Sequence, residues 1–393
     1  MVLAAVAAGI ATTAPAGVAT AQPADAGGGH LTRVDTDAAG NPESEGGEIN
    51  SVALSGNGRY ALLYVRTNSN MVPEPYRTPT WTGGYLVRKD LQTGSTLLVS
   101  LKEDGTPQRA DWRYGAIGWD GTTFAYSSGD SEEPSLFYRD LSSGVRRVVT
   151  EPWRWFIESI TLSRDNRSLT WTSLGERSGN RITRHDLVSG ETKVLLECGD
   201  FFTGCYRPSG LFVSDDATKL VFKYRATSKE PTLVTLLDTT TGALRTLPEA
   251  TPDSSYRLSG DGKWVFFTLV NGEQIEIRKV STTPGATPVP LRSWRVDETW
   301  SMRLHSVSPD GNLIGYTLMS GNRADKYFAS ARAHVFDQAT GRTTLFADPR
   351  PGKTYSTSPV ISGNSRVVVV QEWCLGGISC GVRTGWYSSH LGG

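Results

Sequence analysis

Histidine, methionine and cysteine are scarce in this chain of 393 residues, which holds five, four and four of them. No His-x-His or His-x-x-x-His pair occurs, so the close spacing from which compact metal sites are built is missing. Neither sign of charge is in excess, with 40 Lys plus Arg against 40 Asp plus Glu, and no basic run stands out. Nucleic acid and anionic membrane surfaces are therefore excluded as expected partners. Long apolar runs are lacking too. The small apolar segment at residues 2–11 is soon interrupted by Pro15, Gly17 and several threonines, so no membrane span is expected.

That same segment reads as an export signal. Ala19-Thr20-Ala21 resembles a cleavage site before Gln22, although the usual basic start is missing and the first charged residue is Asp25. Residues 1–29 are expected to be a signal peptide and disordered leader, and residues 30–393 a single domain. The four cysteines form two close pairs, Cys198/Cys205 and Cys374/Cys380. In an exported protein such pairs predict two local disulfides, each stabilising by roughly 2–3 kcal/mol through loop closure. A zinc site competes poorly, because no histidine lies near either pair and the spacings are not those of a ribbon.

What the chain has in abundance is glycine (42) and a repeat. Seven times a polar tight turn carries Asp or Asn at one place: Ser55-Gly-Asn57-Gly58, Gly118-Trp-Asp120-Gly121, Ser163-Arg-Asp165-Asn166, Ser214-Asp-Asp216-Ala217, Ser259-Gly-Asp261-Gly262, Ser308-Pro-Asp310-Gly311 and Ser362-Gly-Asn364-Ser365. Asn57 to Asn364 is 307 residues over six steps, a mean period of about 51, within the propeller-blade range. A β-rich run follows each turn, as in residues 60–65, 220–224 and 264–268. A second recurrent turn comes later, as in Asp90-Leu-Gln-Thr-Gly94 and Asp337-Gln-Ala-Thr-Gly341. There Asp can bond its own backbone and Gly takes a positive φ. The fifth copy is degenerate, with Lys279 at the Asp place and Pro284-Gly285 at the turn.

Four antiparallel strands per unit make a propeller blade. The last unit stops after three strands, near Leu391, while residues 31–35 look like the missing fourth. The expected fold is all-β: a seven-bladed propeller of four-stranded antiparallel blades, closed by the N-terminal strand pairing into the last blade. Closure removes two exposed sheet edges.

The turn resembles that of secreted WD-like propeller repeats of the TolB type, Ser-Pro-Asp-Gly before an aliphatic strand, which Ser308-Pro309-Asp310-Gly311 matches outright. The resemblance covers nearly the whole mature chain and implies the fold. It implies no single activity, because such scaffolds host many functions. The separate N-terminal domain of TolB and the hydrolase domain of prolyl oligopeptidases have no room beside seven blades. Residues 259–264 are also similar to the Asp-box of sialidases, but with Gly in the wrong place.

Turn geometry accounts for the repeated Asp and Asn without a metal, since the blades are expected to hold the turns far apart. No cofactor is expected. His305 is the one histidine on an expected innermost strand, and propeller lyases of pectin fragments use channel histidines with a metal. Its place, three residues before the turn's Ser, is held by Val52, Ile160, Leu211 and Tyr256 in other units, which favours packing between blades. No catalytic residue is assigned. A better signal is the aromatic that recurs ahead of the innermost strands: Trp112, Trp155, Tyr206, Trp300 and Tyr355, accompanied by Asp111, Arg154 and Glu158. Expected in loops on one face of the ring, these are the candidate ligand-binding residues. Aromatic plates with polar neighbours suit a protein, peptide or glycan ligand. The leading expectation is an exported, monomeric, non-catalytic binding scaffold. The alternative is an extracellular carbohydrate-active enzyme, a polysaccharide lyase or glycoside hydrolase with its site at the channel mouth.

Overall fold

The computed structural model describes residues 25–26, 31–43, 52–78, 83–102, 104–128, 135–144, 146–149, 156–175, 179–198, 206–225, 230–247, 249–295, 301–322, 327–346, 354–374 and 385–391. Seven blades of four antiparallel strands follow one another in chain order. The innermost strands are Val52–Leu54, Ala110–Ile117, Phe156–Leu162, Tyr206–Val213, Tyr256–Leu258, Ser301–Val307 and Thr354–Ile361. The fold is the propeller that the repeat and its TolB-type turn implied.

Each recurrent turn is closed by its own side chains, and the pattern explains the residue types. In the sixth, the Ser308 hydroxyl donates to Asp310 Oδ1 at 2.6 Å and accepts from the Leu313 N–H at 2.8 Å, while Asp310 Oδ1 also accepts from the Asn312 N–H at 3.0 Å. The same three bonds recur in the turns of Ser55, Ser163, Ser214, Ser259 and Ser362. The repeated carboxylates are thus structural, as expected. Their separation is not as expected. Neighbouring turns touch, with Asp215 N–H donating to the Gly260 carbonyl at 2.7 Å, Asp261 N–H to the Pro309 carbonyl at 2.7 Å and Asn364 N–H to the Gly56 carbonyl at 2.7 Å. The turns converge because they terminate the innermost strands, where the circumference is smallest. Among the described residues no group of three His, Cys, Asp or Glu could hold a metal ion.

The second turn has no hydroxyl at its first place: Gly118 stands where the other six have Ser, and Trp119 follows it. A Cβ at Gly56 or Gly363 would lie 2.0 or 2.4 Å from the Trp119 ring, so these glycines leave the space the indole occupies. Because the Ser hydroxyl is buried and doubly bonded elsewhere, Ser259→Ala removes both bonds and leaves a strand N–H unpaired. The expected loss is about 1–3 kcal/mol of stability, read as a lowered urea midpoint at unchanged slope.

Packing follows the ring. Among the described residues, seven apolar clusters each join two adjacent blades, such as Phe124 and Tyr126 with Leu62 and Leu86, or Phe266 and Ile277 with Leu304 and Tyr316. Middle strands are buried on both faces, which is why residues 60–65 read as an unbroken apolar run. Outer strands such as Thr192–Cys198 are largely exposed.

Closure occurs where expected. Thr32–Arg33 pairs antiparallel with Gly385–His390, with Thr32 opposite Ser388 and Arg33 opposite Tyr387. Asp35, buried, accepts both Nε and Nη2 of Arg33 at 2.9 Å and the Trp386 N–H at 3.1 Å. Two residues of the expected leader, Asp25–Ala26, pair in parallel with the outer strand of the sixth blade, Thr343–Phe346. Cys198 is disulfide-bonded; Cys205 and Cys380 lie outside the described residues, as does the side chain of Cys374.

Candidate functional site

The innermost strands line the central channel. Each begins at the end of the ring that carries the blade-to-blade loops and ends at the ring of Ser-Asp turns. Five of the seven break register part-way, between Ala110 and Gly115, Ile157 and Ser159, Tyr206 and Phe212, Leu304 and Ser306, and Thr357 and Val360. Such bulges re-aim side chains, and the five strands that carry them extend 7 or 8 residues back toward the loop end, against 3 residues for the other two.

That lengthening changes where the aromatic candidates sit. Asp111 and Trp112 lie on the strand Ala110–Ile117, Tyr206 opens Tyr206–Val213, and Tyr355 lies on Thr354–Ile361, rather than in the loops before them. Their side chains, with Arg154, Trp155 and Trp300 altogether, lie outside the described residues. Glu158 sits half-buried at the register break of its strand. Asp111, Trp112, Tyr206 and Tyr355 thus lie on strands, toward the loop-bearing end.

The channel wall between this end and the turns holds a group that sequence reading missed. Arg257 is the second residue of its strand and lies largely inside the channel wall. Its Nε donates to the His305 carbonyl at 2.6 Å and its Nη1 to the Tyr256 carbonyl at 2.6 Å. Its guanidinium carbon stands 4.1 Å from the centroid of the Phe212 ring on the neighbouring blade, a cation–π stack. No carboxylate pairs with it among the described residues, so burial pulls it down to about 10, with the Tyr256 hydroxyl acting weakly the other way. Arg303, exposed, is near the loop end of the next strand. Lys223, half-buried opposite Ser209, lies with its ammonium 5.7 Å from the Tyr256 ring centroid. Burial lowers the Lys223 ammonium; the Asp253 charge opposes this and that of Arg303 adds to it.

His305 is packed beside them. Its imidazole is pushed down to about 3, by burial first and then by the positive charges of Arg257 and Arg303, so it is neutral at pH 7. Its Nε2 is buried without a hydrogen-bond partner among the described residues. Tyr256, one blade earlier at the same place, crosses to the previous blade and donates to the Ser209 and Gly210 carbonyls, each at 2.8 Å. This position is a blade-to-blade contact, as its apolar occupants suggested, and burial pushes the Tyr256 hydroxyl up. The signal for Arg257 was legible in retrospect. Two residues before the turn, the seven copies read Ala53, Ala116, Thr161, Phe212, Arg257, Ser306 and Val360, with one charged residue among small and apolar ones.

The other described histidines are structural or peripheral. His334 stacks on Tyr316 with ring centroids 5.2 Å apart, and His390 is an exposed strand end. Gly377-Ile378-Ser379-Cys380-Gly381 fits the hydrolase pattern Gly-x-Ser-x-Gly and lies outside the described residues. It connects the antiparallel strands Val367–Cys374 and Gly385–His390, whereas a nucleophile elbow needs a strand running into a helix.

No known family profile matches the chain, and no curated protein does. Solved structures do. An oligogalacturonate lyase in complex with manganese superposes with a TM-score of 0.61 at 14% identity, over 94% of this chain and 95% of that one. An oligogalacturonate lyase from Vibrio parahaemolyticus gives 0.58 at 13%, over 93% and 91%. The propeller domain of the trilobed protease from Pyrococcus furiosus gives 0.57 at 12%, over 86% and 94%. That domain is described as having an open velcro topology, whereas this ring is closed by strand pairing. At such identities the likeness is one of fold: the chain is a seven-bladed β-propeller. No helix among the described residues is long and apolar enough to cross a membrane.

Proposed function

We propose that this chain is an extracytoplasmic recognition propeller that binds a protein, peptide or glycan over the loop-bearing end of its channel. The supporting observation is a run of cations along the channel wall of three consecutive blades, Lys223 and Arg303 toward the loop-bearing end and Arg257 nearer the turns, none making an ion pair among the described residues. Cations kept unpaired in a channel wall are costly to the fold alone and useful to a ligand. The aromatic residues of the same end, Trp112, Trp155, Tyr206, Trp300 and Tyr355, would supply ring contacts. Export and the two disulfides belong to this reading, supported by the N-terminal segment and by the bonded Cys198. The test is a glycan and peptide array probed with the mature protein. Trp112→Ala and Trp300→Ala should each weaken the captured ligand about tenfold or more; unchanged binding in both would remove this end of the ring as the binding face.

His305 supports a second reading, a polysaccharide lyase or glycoside hydrolase. A neutral imidazole can accept a proton, and adjacent guanidinium groups can stabilise developing negative charge. Oligogalacturonate, the substrate named for two of the fold neighbours, is the first compound to try. Formation of unsaturated product by the wild type, abolished in His305→Ala, would replace the binding reading with this one.

A further inference from the structure

We propose that Lys223, Arg257 and Arg303 form a seat for an anionic oxygen group, a carboxylate or phosphate carried by the ligand, at the channel wall between the fourth and sixth blades. This deepens the binding reading and rests on it. The argument starts from what the three cations have and lack. Two of Arg257's nitrogens are committed to backbone carbonyls and one face of its guanidinium is covered by Phe212, which fixes the group in orientation. Among the described residues its Nη2 makes no hydrogen bond, and no carboxylate balances the charge. Arg303 makes neither a hydrogen bond nor an ion pair among the described residues.

The neighbourhood adds more positive potential instead of relieving it. Arg257 and Arg303 both act on His305, and Arg303 acts on Lys223. Asp253, an exposed carboxylate, acts on Lys223, and no acid acts on Arg257 or His305. Ordinary surface cations find counter-charges in salt or in neighbours; Arg257, preorganised, and half-buried Lys223 are partly desolvated, while Arg303 stays exposed beside them. An arriving anion would be held by a guanidinium already fixed in place, at little ordering cost. The buried, unpartnered Nε2 of His305 is a second mark of a site incomplete without a guest.

The test uses the whole mature protein with acetate and inorganic phosphate as separate probes, and follows the His305 ring nitrogens by NMR. Binding neutralises the field of the two arginines, so each effective probe should shift the His305 resonances at pH 7, where both probes are anionic. Arg303→Gln, at an exposed position that leaves the fold intact, should weaken that probe about tenfold, and Arg257→Met more than that. The arm that responds more strongly assigns carboxylate or phosphate. If neither probe shifts His305, or if both variants bind the probes as the wild type does, the seat does not exist. A neutral array ligand whose affinity survives Arg257→Met and Arg303→Gln but falls in Trp112→Ala would overturn the anion seat while leaving the binding reading in place.

Discussion

Replacing Asp35 by alanine should lower the stability of the ring by about 2–4 kcal/mol, whereas Asp35→Asn should cost about 1 kcal/mol or less. Asp35 is 1% exposed and sits beside Val34 and Trp386, which pack into the cluster between the first and last blades. Its carboxylate takes a bidentate bond from Arg33 and the N–H of Trp386, and its own carbonyl accepts from the Glu43 N–H. Burial nonetheless raises the carboxyl above its ordinary range, ahead of the opposing pull of Arg33. A carboxyl raised on folding favours the folded state only where it is protonated, so its charge at pH 7 opposes folding and is not what holds the seam. What matters is an acceptor for the buried Trp386 N–H. Asparagine keeps one and alanine does not. Arg33 is partly exposed and can return to water, which limits the loss.

Opening at this seam leaves the third strand of the last blade as a free edge, so Asp35→Ala should also aggregate faster on heating. Chemical denaturation and light scattering check both expectations. Equal midpoints for the wild type and Asp35→Ala would show that the seam is not where the ring is held.

Acidification should unfold this protein partly through one histidine. In the unfolded chain His305 takes up a proton as pH falls through about 6.5, but in the fold it resists protonation until about 3. The unfolded state therefore binds more protons throughout that window. The stability is fully present above pH 6.5 and is lost progressively as pH falls toward 3. By pH 4 the loss from this residue amounts to about 2–3 kcal/mol. Carboxylates held low by turn hydrogen bonds, Asp186 and Asp310 among them, add their own acid loss, so the comparison must be made between variants. His305→Leu should reduce the difference in unfolding free energy between pH 7 and pH 4 by that amount. Arg303→Gln should reduce it less, because burial, the larger cause, remains. A His305→Leu variant with the wild-type pH dependence would mean that the imidazole is solvated and charges freely.

The sequence by itself determined the ring. Its seven turns are local structures: a Ser hydroxyl in all but the second, an Asp or Asn two residues on and a positive φ at the fourth place, where Gly58, Gly121, Gly262 and Gly311 stand beside Asn166, Ala217 and Ser365. Everything needed to form such a turn lies within six residues, so it is visible as a string and counts the blades directly. The closing strand was legible for a related reason, because a unit short of one strand at one end and a spare strand at the other admit one economical pairing. The site was decided by tertiary structure. Lys223, Arg257 and Arg303 are spread over eighty residues of chain on three blades, Lys223 on a second strand and the two arginines on inner strands, and only the radial packing of the blades brings them to one stretch of channel wall. The register breaks that carry Trp112 and Tyr206 into strands have no fixed local signature either, since a bulge is set by how two strands pair. Local hydrogen bonding wrote the architecture into the sequence; charge brought together through space did not leave such a mark.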